Sequence, residues 1–177
     1  MSPAEIISFW ERSGEKAWFA KSDAFDERCR AFEPAHHAAA RGEFGAWEPS
    51  GDGALALCLL LDQIPRNIYR QSPHAFAADA LAQGVALRAI AAGHDRVTSM
   101  PLRIFFYLPL EHAENLALQA QCVALMQAAG DAGFVKYAIQ HRDIIARFGR
   151  FPHRNGALGR TTTSEEAAFL EGGGFAG

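Results

Sequence analysis

Cysteine is scarce in this chain of 177 residues: Cys29, Cys58 and Cys122 are odd in number and far apart. None stands in a C-x-x-C pair, which excludes a zinc ribbon and a thioredoxin motif. Cys58 within "ALALCLLL" and Cys122 beside Val123 read as buried, reduced thiols, which fits a reducing compartment. Long apolar runs are missing too. The longest, Ala54 to Leu61, is far too short to span a bilayer. The opening "MSPAEIISFWERSGEK" carries charges inside its first apolar run, so no signal peptide is expected and the protein is expected in the cytoplasm. An excess of either charge is absent as well. With 17 Lys and Arg against 20 Asp and Glu, the formal net charge of −3 argues against wholesale nucleic-acid binding. No stretch shows the alternation and turn chemistry of a hairpin. There is no G-x-S-x-G, no P-loop and no Rossmann fingerprint, so those routes to nucleophilic catalysis and nucleotide binding have no support and no cofactor is expected.

Helical signals fill the space that these absences leave. Ser2-Pro3 gives an N-cap and an N1 proline before Ile6, Ile7, Phe9 and Trp10. Ser22 or Asp23 caps a helix carrying Phe25, Cys29 and Phe32, with its end at Gly42. "EPSGDG", 48 to 53, reads as a loop. Ala54 to Gln63, apolar nearly all round and rich in leucine and alanine, reads as a buried central helix that Pro65 interrupts. Ser72-Pro73 starts a helix running to Gly93, and Leu102 to Leu108 forms a short one stopped by Pro109. A longer helix is expected from about Glu111 to Ala129, ended by Gly130. Asp131 caps the next, with Phe134, Tyr137, His141, Ile144 and Phe148 on one stripe. Thr163 and Glu166 form a capping box for a last helix. The expected class is all-α, one domain over residues 1–171 with a flexible glycine-rich tail at 172–177.

Three polar constellations stand out. The first is "LDQIPRNIYR", where an apolar run gives way to Asp62, Gln63, Arg66, Asn67 and Arg70. Buried carboxylates and guanidiniums must pair, so these residues either lock a corner through an Asp62–Arg66 or Asp62–Arg154 bridge or form a polar floor for a ligand. The second is "RFGRFPHRNGALGR", which gathers Arg147, Arg150, His153, Arg154, Asn155 and Arg160. No carboxylate lies between Asp143 and Glu165, and so much positive charge calls for carboxylates from elsewhere or a bound anion. Phe148, Phe151 and Leu158 should pin this loop to the core. His141 precedes it on an apolar stripe, which makes it a core histidine or a buried neutral base. The third, "FFYLPLEHAENL", offers Tyr107, Glu111, His112 and Glu114 at a helix start. They suit either the helix dipole or acid–base chemistry, and their spacing matches no zinc motif. "DQIPRN" and "RFPHRN" echo each other, which suggests that the two Arg-Asn motifs line one site.

These motifs, with "AFAADALA" and "RTTTSEEAAFL", resemble the bacterial family called domain of unknown function 924, from about Ile6 to Leu170. Ile64 stands where the family pattern often has Phe. The resemblance implies an all-helical fold of antiparallel helix pairs similar to tetratricopeptide repeat proteins, although no repeat signature is present. It implies no activity.

Three functions follow. A small phosphate- or carboxylate-bearing ligand is held by Asp62, Gln63, Arg66, Asn67, Arg70, Tyr107, Arg147, Arg150, His153, Arg154, Asn155 and Arg160, with His141, His112 and Glu114 as proton carriers. Alternatively a helical module grips an acidic peptide. In the third, Asp62, Glu114 and Asp143 neutralise the arginines and leave no site.

Overall fold

The computed structural model describes residues 1–175, and every regular element among them is helical. Ala176 and Gly177, the end of the expected tail, lie outside the described residues. The chain forms two compact units, one of Met1–Arg70 with His74–Pro109, the other of Gln71–Pro73 with the chain from Leu110 on.

The first unit begins with α1 (Pro3–Ser13), where Ser2 and Glu5 cap each other as a capping box. The short α2 (Glu15–Trp18) follows, then α3 (Asp23–Arg30), capped by the Ser22 hydroxyl. The single helix expected from Ser22 to Gly42 is in fact two, because Phe32 breaks from helical geometry and Pro34 starts α4 (Glu33–Ala40). Helix α5 (Gly51–Cys58) starts inside the expected loop, since the Ser50 hydroxyl accepts the Gly53 N–H. Trp10, Trp18 and Phe105 form the aromatic heart of this unit, with Phe105 edge-on to both indoles at 5.5 and 5.0 Å.

Pro65 does not interrupt the central helix. Leu59–Gln63 widen into a π turn in which the Ile64 N–H reaches the Leu59 carbonyl, and α6 (Ile64–Ile68) continues through the proline. The widened register pairs the Leu60 carbonyl with Pro65, which has no N–H to give. The buried His36 fills that gap, with Nδ1 at 2.8 Å from the Leu60 oxygen. The ring therefore donates from Nδ1, and burial lowers its affinity for a second proton. Because the folded pKa lies below the unfolded value, this contribution is complete above about pH 6.5 and is lost as pH falls below it. His36→Ala is expected to cost about 1–3 kcal/mol at pH 7.5, the penalty for an unsatisfied buried carbonyl. In urea unfolding the gap between wild type and variant should narrow at pH 5.5. A gap of equal size at both pH values would refute this account.

Pro73–Phe76 makes a single 3₁₀ turn, and α7 (Asp79–Ala91) starts later than Ser72-Pro73 suggests. The short α8 (His94–Val97) and a 3₁₀ stretch, Leu102–Phe106, complete the unit. Pro109 stops nothing, since it sits in the first turn of α9 (Leu108–Glu111), where its missing N–H costs nothing. The second unit is built on α10 (Leu116–Ala129) and α11 (Ala132–Phe148), joined by Gly130 and Asp131. Gly130 takes the left-handed conformation and Asp131 caps α11, as the sequence indicates. Asn115 caps α10, so Glu111, His112 and Glu114 precede that helix instead of opening it. The closing α12 (Ser164–Glu171) has the Thr163–Glu166 capping box.

Candidate functional site

In the first unit the Arg-Asn motif is a locked corner. Arg66 lies between Asp62, at 3.0 Å, and Asp79, whose two oxygens each accept from the guanidinium at 2.9 Å. It also donates to the Asp62 carbonyl at 2.8 Å and covers the Phe76 ring. Burial opposes its charge, but Asp62 and Asp79 outweigh that and hold it above the usual arginine range. Gln63 donates to Asp62 at 2.6 Å, and Asn67 donates to the Gln63 carbonyl at 3.0 Å. Arg70 grips both oxygens of Asp26 and donates to Asn67. Tyr107 is buried, and its hydroxyl donates to Asp95 at 2.8 Å. Burial, then Asp95, pushes its pKa well up. The Asp62–Arg66 bridge that the motif suggests is present. The partners Asp79 and Asp26 stand 13 and 44 residues away, beyond the reach of motif reading.

The basic stretch of the second unit is not short of carboxylates once it folds. Arg150 donates to both oxygens of Glu166, at 2.6 and 2.9 Å, and to the Thr161 carbonyl. Glu166 also accepts from Asn155 and caps α12, and the Arg150 bond first, with the Thr163 N–H next, brings its carboxyl down to about 2. Arg160 holds both oxygens of Glu114, at 2.7 and 3.0 Å, and the Phe151 N–H donates to the same carboxylate. Arg147 pairs with Glu165 at 2.9 Å and lies over Phe148, while Asp143 turns to Arg142.

A further group is gathered around Phe151. Arg154 is buried, with its guanidinium over the Phe151 ring at 4.5 Å. His141, also buried, places Nδ1 2.9 Å from the Tyr137 carbonyl and 3.6 Å from the Glu111 carboxylate. Its ring lies 6.3 Å from His112, 5.5 Å from Phe151 and 4.5 Å from Phe175. His153 borders the same two phenylalanines. Glu111 and Phe175 belong to this group, although sequence reading gave Glu111 only a supporting part and Phe175 none. Beside it, an open cleft of about 770 Å³ runs along α11, walled by Tyr137, Ile144, Arg147, Phe148, Phe169 and Phe175 among others. Among the described residues no three His, Cys, Asp or Glu side chains are grouped to hold a metal ion, and no helix is long and apolar enough to cross a membrane. All three cysteines are buried free thiols, with burial pushing Cys29 up to about 12.

The fold and these motifs define an all-helical protein whose polar interior is tied by arginine–carboxylate forks. Residues 6–174 match the family model described as "Bacterial protein of unknown function (DUF924)", and the chain belongs to that family. It is similar to a protein of unknown function from Agrobacterium tumefaciens, ATU0120, whose solved structure superposes with a TM-score of 0.92. The two are 48% identical over 96% of this chain and 97% of that one. No curated protein matches.

Proposed function

We propose that the second unit binds a small ligand bearing a phosphate or carboxylate, and that His141 exchanges a proton with it. The observation that carries this reading is a buried imidazole–carboxylate pair, His141 and Glu111, in the same buried group as the Arg154 guanidinium. The Tyr137 carbonyl at 2.9 Å can only accept, so Nδ1 donates, and the neutral ring carries its lone pair on Nε2, where it accepts a proton. Arg154 lies over the Phe151 ring, and a guanidinium is the side chain best matched to the oxygens of a carboxylate or phosphate. His112 and His153 flank the pair. Glu114, Arg150 and Arg160 act as braces that hold the turn carrying Arg154.

The test compares Arg154→Ala with Arg147→Ala in thermal melts with added phosphate or acetate. Arg154→Ala should abolish the ligand-induced rise in Tm, and Arg154→Lys should restore part of it. Arg147→Ala should keep it, because Arg147 is half-exposed on the cleft wall, outside the buried group. Equal ligand stabilisation of wild type and Arg154→Ala would sink this reading. A second reading, docking of an acidic peptide, draws on the open cleft with Lys136 and Arg147 on its walls. It predicts the reverse order, with peptide affinity sensitive to Arg147→Ala and indifferent to Arg154→Ala.

A further inference from the structure

We propose that this site selects anions that carry an aromatic ring, and that the ligand's ring takes the place now held by Phe175. The inference rests on the anion-binding reading and adds the class of ligand.

Phe175 shows what the space beside His141 accepts. Its ring meets the His141 imidazole at 4.5 Å and 61°, and the His153 imidazole at 5.2 Å and 80°. Both are edge-to-face arrangements, which favour aromatic over aliphatic carbon. The ring also packs against the cluster of Ile144, Ile145 and Phe151. The chain is bent to deliver it. Gly173 has φ +82°, and the Gly174 N–H closes on the Phe169 carbonyl at 2.9 Å. A Cβ at Gly174 would stand 2.5 Å from that carbonyl oxygen, so the bend needs glycine there. Yet Phe175 is only half-buried and forms part of the cleft wall, so a ring entering from the cleft competes with it directly. His153 and Arg154 share one 3₁₀ turn, Pro152–Arg154. A ring seated against His153 therefore brings an attached acid group to the turn that carries the buried guanidinium. An aryl carboxylate such as phenylacetate has both parts.

The experiment measures binding of phenylacetate, cyclohexylacetate and inorganic phosphate to the full chain by calorimetry. Wild type, Phe175→Ala and Phe175→Leu are compared, with circular dichroism confirming that each folds. Phenylacetate should bind more tightly than cyclohexylacetate, which matches it in charge and bulk but lacks the ring. Phe175→Ala should tighten phenylacetate about three- to tenfold by removing the competing ring, an edge-to-face pair's worth. Phosphate affinity should not change, and Phe175→Leu should fall between. Equal affinity for the two organic acids, or weaker phenylacetate binding to Phe175→Ala, overturns the aromatic selection. If phosphate still binds wild type, only this inference fails. If none of the three ligands binds any variant, the anion-binding reading fails with it.

Discussion

Arg66→Ala is expected to lower unfolding free energy by about 3–5 kcal/mol, the cost of removing one partner from a buried ion pair. The reason lies in what is left behind. Asp62 is 1% exposed and Asp79 14%, and both face the guanidinium. Without it, two carboxylates share a poorly hydrated corner and repel each other. Arg66→Lys should rescue little, because an ammonium cannot give the fork that meets both Asp79 oxygens. Urea unfolding of the three proteins at pH 7.5 checks each point. A loss below about 1 kcal/mol for Arg66→Ala would show that the pair behaves as a surface bridge.

That corner also shows how far the sequence could be read. Signals that act within a few residues were legible: Ser2, Ser22 and Asp131 cap helices, Gly130 ends one, and Thr163 with Glu166 forms the expected box. Such caps satisfy backbone groups within one turn, so their chemistry is complete in a short window. The all-α class follows from them. The π turn was not legible, because a proline reads as a break unless the register upstream widens and a distant histidine serves the freed carbonyl. The charge balance of the basic stretch was legible only as alternatives, a bound anion or carboxylates such as Glu114 from elsewhere, for a similar reason. Counting between Asp143 and Glu165 finds no carboxylate, yet Glu114 reaches Arg160 from 46 residues away. Ion pairing is a tertiary property, and local composition misses it. His141 is buried as expected, although Tyr137 on the same stripe is exposed, and the ring beside it came from Phe175, inside a tail that glycine content alone marks as loose.

Phe151→Ala should have an effect of similar size in the second unit, and it links stability to the proposed site. Phe151 is fully buried against Ile144 and Ile145, so deleting its ring should cost about 3–5 kcal/mol through lost transfer energy and a residual cavity. Its backbone roles survive the change, since the N–H still reaches Glu114 and the carbonyl still accepts from Arg160. The turn bearing His153 and Arg154 should therefore persist, but the guanidinium loses the ring it covers and His141 loses an aromatic wall. Phe151→Leu separates these consequences. Leucine fills much of the volume, so its stability loss should be clearly smaller than that of alanine. It offers no ring to Arg154, so phosphate binding should weaken in both variants by a similar factor. Binding that instead follows stability, intact in Phe151→Leu and lost only in Phe151→Ala, would mean that Phe151 supports the site by filling space and that stacking under Arg154 contributes nothing to anion recognition.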